Sequence, residues 1–360
     1  MTDRLFASTR KGLFEFRKKG AGWSLANVSF LGSPVTGLMR HPADGALYAA
    51  LDLGHFGVKL HESQDGGKSW SEIAAPSYSG IDAGSKDAPS LKLLWVLEAG
   101  GKDQPNRLWA GTIPGGLFKS DDRGRSWQLV KSLWDDPRRL KWSGGGYDQP
   151  GIHSVSIDPR DSRRIAVAVS TGGVWESTDG GESWALGGKG LRAAYVPPEQ
   201  ANDPEQQDVH RLVRCATRPD EFWIQHHNGI FKSVGGIAEW KEIFPPHEGA
   251  FGFAVAVDPK RAERAWFVPA VKDEYRYPKD GKLLVAMTDD GGKSFSYFDR
   301  GLPQDNAYDL IYRHGMVIDD EGTGLAIGST TGGLWFSGDS GESWNSAPAR
   351  LPPIYGLAYA

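Results

Sequence analysis

The sequence predicts an all-β chain: a single seven-bladed propeller spanning residues 1–360, built of four-stranded antiparallel blades, with the C-terminal strand completing the first blade. Three observations carry this reading. An eight-residue phrase ending in tryptophan recurs along the chain, its copies lie about fifty residues apart, and the text between them reads as short strands with almost no helical periodicity.

The phrase is Ser-x-Asp-x-Gly-x-Ser-Trp. It stands at residues 63–70, 120–127, 177–184 and 337–344, and a fifth copy at 288–295 exchanges its end residues for Thr288 and Phe295. Two worn copies fill the gaps: 233–240 keeps Ser233 and Trp240, and 16–23 keeps Gly20 and Trp23. The closing aromatics at 23, 70, 127, 184, 240, 295 and 344 are separated by 47, 57, 57, 56, 55 and 49 residues. That period suits four short strands arranged round an axis better than a helical solenoid. Within the phrase, aspartate and serine oxygens can accept bonds from nearby backbone N–H groups and glycine supplies positive φ. It therefore reads as the hairpin turn between the third and fourth strands of a blade. The terminal aromatic begins the outer strand and wedges against the neighbouring sheet.

Inside one period the strands can be read directly. In the third repeat they fall at 91–97, 107–110, 116–120 and 127–130, punctuated by Gly, Asp, Ser and Pro. The one helix-permissive stretch, 198–208, looks like a loop insertion. The segment 351–359 matches those that open other repeats, such as 34–41 and 151–158, whereas the N-terminus begins with a second strand at 5–9. The last strand should therefore close the first blade and leave no exposed edge.

Composition narrows the partners. Lys plus Arg total 41 against 45 Asp plus Glu, a net charge of −4, which gives no electrostatic ground for nucleic acid or an anionic membrane as partner. No apolar run approaches the ~20 residues of a spanning helix. The first residues enter a strand without an apolar signal-like stretch, and Cys215 is the one cysteine, so no internal disulfide framework exists. A cytoplasmic location is expected.

The tryptophan-ended phrases resemble the Asp-box, or BNR, repeat of sialidases, xyloglucan-specific endoglucanases, sortilin-type receptors and photosystem II assembly factors, and the likeness covers essentially the whole chain. The stretches 225–233, 267–278 and 307–315 are similar to bacterial cytosolic proteins labelled exo-α-sialidase-like or BNR-repeat glycosyl hydrolase. The resemblance implies a propeller with a carbohydrate-directed site. The chain departs from sialidases in having seven repeats rather than six, in carrying Arg4-Leu5-Phe6 where they have Arg-Ile-Pro, and in offering no assignable arginine triad.

A blade alternates its loops between two rims. The phrase turns share one rim, while the long connections at 77–90, 131–150, 188–208 and 269–282 all fall on the other, which is the expected site. Three readings of that rim follow. A hydrolase acting on a carbohydrate-like or polar hydroxylated substrate would use Asp148, Asp273 and Glu274 as acid, base or nucleophile. Trp142, Tyr147, His153, His210, Gln225, His226, His227, Asn228, Tyr275, Arg276 and Tyr308 would hold the substrate. A metal-dependent hydrolase or lyase would gather His153, His210 and His227 (or His226) around a divalent ion, with Glu274 near it. A binding or assembly scaffold would take a small ligand or a protein partner without chemistry. His55, Asp52, Tyr195, His247 and Asp305 are placed on the same rim, whereas His41, His61 and His314 are placed within or beyond strands.

Overall fold

A computed structural model describes residues 3–20, 22–81, 88–145, 147–245 and 249–360. These residues form seven four-stranded antiparallel sheets arranged as a seven-bladed propeller. The innermost strands, in ring order, are Ile354–Tyr359, Val35–Arg40, Leu93–Ala99, Ile152–Asp158, Val209–Arg214, Gly252–Val257 and Met316–Ile318. Each touches the next, and the last touches the first. Blade 1 is stitched from both ends of the chain: Ile354–Tyr359 pairs with Arg4–Thr9, with Leu5 opposite Tyr359 and Ala7 opposite Leu357. Gly12–Lys19 and Gly22–Ser29 complete that sheet.

Each blade is sandwiched between two others, so its middle strands are covered on both faces and read as continuous apolar runs rather than alternating ones. Ile165 to Val169 is an unbroken Ile-Ala-Val-Ala-Val run with no exposed surface, and all six residues of Leu108–Ile113 are buried. The phrase tryptophans fill the seams between blades. Trp184, for example, joins Trp109, Val130, Ile165, Val167 and Trp175 in one cluster linking blades 3 and 4.

The turn within the phrase is a closed hydrogen-bond network. The Ser177 hydroxyl donates to Asp179 (2.7 Å) and accepts from Gly181 N (2.8 Å). Asp179 Oδ1 accepts the N–H groups of Glu182 and Ser183, both at 3.0 Å, and Oδ2 accepts the Ser183 hydroxyl. Gly180 and Gly181 sit at φ 81° and 91°, where an L side chain is strained. The same hydroxyl-to-carboxylate pattern holds at Asp65, Asp122, Asp290 and Asp339. The Ser126 hydroxyl and N–H, with their neighbours, hold the Asp122 carboxyl down at about 2.

The third blade runs through Leu93–Ala99, Leu108–Ile113, Leu117–Ser120 and Gln128–Leu129, within three residues of the expected limits. The helical content differs in place. The 198–208 insertion forms only a 3-10 turn at Pro204–Gln206, and a short α-helix stands instead at Lys131–Trp134, anchored by buried Leu133 and Trp134. Four residues are too few to show a helical period. All four long connections join outer to inner strands or second to third strands, so they share one rim. Residues 82–87, within the first of them, and His247 lie outside the described residues.

Candidate functional site: a two-lobed cleft on the loop-rich rim

The start of each inner strand points its first residues toward this rim, and the connections between second and third strands lean in beside them. Together they enclose two adjoining lobes of about 780 and 650 Å³. Gly145, Phe253 and Arg276 line both lobes, so the two form one cleft.

The first lobe is walled by blades 5 and 6, with Ser143, Gly145 and Thr171 closing it from the side of blade 4. Asp208, just ahead of the inner strand of blade 5, His210 on that strand and His227 in the turn after Glu221–His226 converge there, with ligand-capable atoms all within 4.8 Å of one another. His210 Nε2 lies 3.6 Å and His227 Nδ1 3.3 Å from Asp208 Oδ2. His210 Nδ1 is 2.6 Å from the Gly252 carbonyl, and its ring stacks on Phe253 at 4.3 Å. Tyr195 packs edge-on to His227 at 4.8 Å, while its hydroxyl accepts the Asp208 N–H at 2.7 Å. Burial pushes His210 below the ordinary imidazole range, against the pull of Asp208. Burial also works against the Asp208 charge, but His210, His227 and Arg313 outweigh it and hold that carboxyl well below its usual range. Gly145, at φ +49°, crosses over this group; a Cβ there would sit 3.1 Å from Asp208 Oδ1.

The second lobe is cationic and aromatic. Arg10, Lys92, Arg276 and Arg313 line it with His314, Trp95, Tyr147, Tyr312 and Tyr355, and Asp52 is the one carboxylate on its wall among the described residues. Arg313 is only 7% exposed, and its guanidinium lies over Trp95 (5.1 Å) and Phe253 (5.4 Å). Its Nε and Nη2 have no hydrogen-bond partner among the described residues. Burial drags its pKa down from the ordinary guanidinium value. Beneath the lobe, His314 Nε2 (2.8 Å) and Arg211 Nη1 (3.4 Å) both reach the His153 carbonyl, tying blades 7 and 5 to blade 4 across the axis. Burial pushes His314 down to about 3, so it stays neutral at ordinary pH.

Of the residues singled out from the sequence, Tyr195, His210, His227, Asn228, Asp273, Glu274 and Arg276 line the first lobe, and Asp52, Tyr147 and Arg276 the second. Asp273 is paired with Arg276 (2.6 Å) and Glu274 with Lys272 (3.2 Å); Glu274 is held below the usual carboxylate range by backbone bonding and Lys272. Glu274 therefore lacks the raised pKa of a general acid. Asp148, Tyr275 and Tyr308 are exposed and lie outside both lobes. Trp142 is buried edge-on to Trp175, Gln225 is buried with its amide on backbone carbonyls, and His226 is buried against Phe231 with Nδ1 accepting Asn228 N. His153 sits behind Trp95, its Nδ1 at 3.0 Å from Ser154, and does not join His210 and His227. Asp208 stands in that place. His314, expected within or beyond a strand, is on the rim.

Asp208, Arg313, Trp95, Arg10, Lys92, Tyr312 and Tyr355 are among the site residues that the sequence did not single out. One signal was available: Asp208 and Arg313 lie one and three residues ahead of inner strands, as loop ends do on this rim. Their convergence from different blades leaves no local mark.

No family model matches the chain. It is 22% identical over 333 residues to the photosystem II assembly lipoprotein Ycf48 of Synechococcus sp. (strain CC9902), covering 91% of this chain and 78% of that protein. It is 24% identical over 251 residues to the oligoxyloglucan-reducing end-specific xyloglucanase of Emericella nidulans, covering 69% of this chain and 26% of that enzyme. Among solved structures, the GH74 xyloglucanase of Xanthomonas campestris superposes with a TM-score of 0.67 at 18% identity, over 98% of this chain. This chain spans 52% of that enzyme, about half its length. Ycf48 of Cyanidioschyzon merolae superposes with a TM-score of 0.56 at 12% identity, over 89% of this chain and 87% of that one. The fold is thus shared with carbohydrate hydrolases and with an assembly factor.

Proposed function

We infer that the cleft binds a small hydroxylated carboxylate, an acidic sugar or related hydroxy-acid. The observation that carries this reading is Arg313: a buried cation stacked on aromatic rings, with two donor nitrogens unpartnered among the described residues and three further cationic side chains, Arg10, Lys92 and Arg276, on the same wall. A carboxylate supplies the paired acceptors that a guanidinium fork lacks here. Tyr147, Tyr312 and Tyr355 offer flat faces and hydroxyls to a sugar-like body. The xyloglucanases among the similar proteins support the sugar-like body of the ligand, and its carboxylate rests on the cationic wall. Asp273 and Glu274 are engaged in exposed ion pairs, which weighs against hydrolysis by that carboxylate pair.

Calorimetric titration with D-glucuronate and D-glucose tests the reading. The acid should bind and the neutral sugar should not, and added salt should weaken the acid. Equal binding of both, or no binding of the acid, would refute it. A second reading, docking of a protein partner, is favoured by Phe56, Tyr275 and Tyr308, which stand 69%, 52% and 64% exposed around the same rim.

A further inference from the structure

We propose that Asp208, His210 and His227 form a binding site for one divalent transition-metal ion in the first lobe. This goes beyond the carboxylate reading and does not depend on it, since the two rest on different residues.

The spacing fits a single ion. A tetrahedral ion with ligands at ~2.1 Å sets those ligand atoms about 3.4 Å apart; Asp208 Oδ2 lies 3.6 Å from His210 Nε2 and 3.3 Å from His227 Nδ1, and all three ligand atoms fall within 4.8 Å of one another. The tautomer of His210 points the same way. Its Nδ1 is 2.6 Å from a backbone carbonyl, which can only accept, so the ring proton is on Nδ1. Nε2 is thereby the ring nitrogen turned to Asp208 Oδ2, and at 3.6 Å it is too far for a normal hydrogen bond but spaced for one cation bonded to both. A histidine whose far nitrogen donates to a backbone carbonyl is also how metal-ligating imidazoles are oriented.

Asp208 adds an independent sign. It is 5% exposed, and its Oδ1 is without a hydrogen-bond partner among the described residues. A buried carboxylate oxygen with no donor is costly and calls for a cation. All three residues line the open lobe, which leaves coordination positions facing solvent or ligand. Two imidazoles and one carboxylate suit Zn²⁺, Co²⁺, Fe²⁺ or Ni²⁺, whereas Ca²⁺ and Mg²⁺ prefer oxygen alone.

The test is titration of chelator-treated full-length protein with ZnCl₂ or CoCl₂, followed by calorimetry and, for cobalt, by its visible absorption bands. One equivalent should bind, and His227→Ala should weaken it about 100-fold or more through loss of one of three ligands. Glu182→Gln, in a phrase turn on the opposite rim, should bind as the parent does. His227 is the variant of choice because 19% of its side chain is accessible, against 7% for Asp208, so its truncation disturbs the fold least. A parent protein that takes up no stoichiometric zinc or cobalt would overturn the proposal, leaving a shared proton between His210 and Asp208. So would a His227→Ala protein with parental affinity. Glucuronate binding measured on metal-free protein separates this failure from failure of the carboxylate reading.

Discussion

Replacing Arg313 by methionine should push stability and ligand affinity in opposite directions. Two buried donors without partners cost ~1–3 kcal/mol each, and stacking on two rings returns ~0.5–2 kcal/mol each. Methionine keeps most of the apolar contact with Trp95 and Phe253 and removes the unsatisfied charge. At the midpoints of the two ranges, about 4 against about 2.5 kcal/mol, the net gain is about 1.5 kcal/mol. With an unfolding entropy of ~2.1 cal/mol/K per residue, 360 residues convert this into a Tm higher by about 1–3 °C. Binding of a carboxylate ligand should fall about 10- to 150-fold, the equivalent of a lost charge-assisted pair worth ~1.5–3 kcal/mol. Differential scanning calorimetry and a glucuronate titration on the same preparation read both quantities. A Tm lowered by several degrees with unchanged affinity would show that the guanidinium is a structural strut, and the reasoning from its orphaned nitrogens would fail.

Burial lifts the Glu98 carboxyl to about 7 in the folded chain, above its ordinary value, so its contribution to stability is present in acid and lost as pH rises through that value. Glu98→Gln should therefore match the parent's Tm near pH ~4, below the ordinary glutamate value, and exceed it near pH ~8 in thermal melts at both. Gly111→Ala would place a Cβ 2.5 Å from the Ile152 carbonyl and 2.8 Å from Val96, prying blade 3 from blade 4; a loss of ~1–3 kcal/mol in a denaturant titration is expected. A chain ending at Pro353 lacks the inner strand of blade 1 and should elute as an expanded species with weakened β-sheet circular dichroism.

The framework was legible because its signal is local and repeated. Ser177, Asp179, Gly181, Ser183 and Trp184 do their work within eight residues, and the next copies do the same. The site was legible only as a rim. His210 and His227 were named as partners in a metal centre, but Asp208, which joins them, reads in sequence as the end of a polar loop. Trp142 and His226 look like rim residues by position, yet the 3-10 segment Pro137–Lys141 and the turn at Asn228 send them into the interior. Arg313 and Trp95 belong to blades 7 and 3, and only closure of the ring sets one over the other.

The seam that shuts the ring is also a wall of the cationic lobe. Arg10 follows the first strand of the chain and Tyr355 belongs to the last, and both face the cavity that Arg313 overlooks. Any ligand held between them is a clasp across the chain's two ends. By linkage its binding resists the one separation that would let the circle spring open, so occupancy should slow unfolding more than it alters the shape of the molecule.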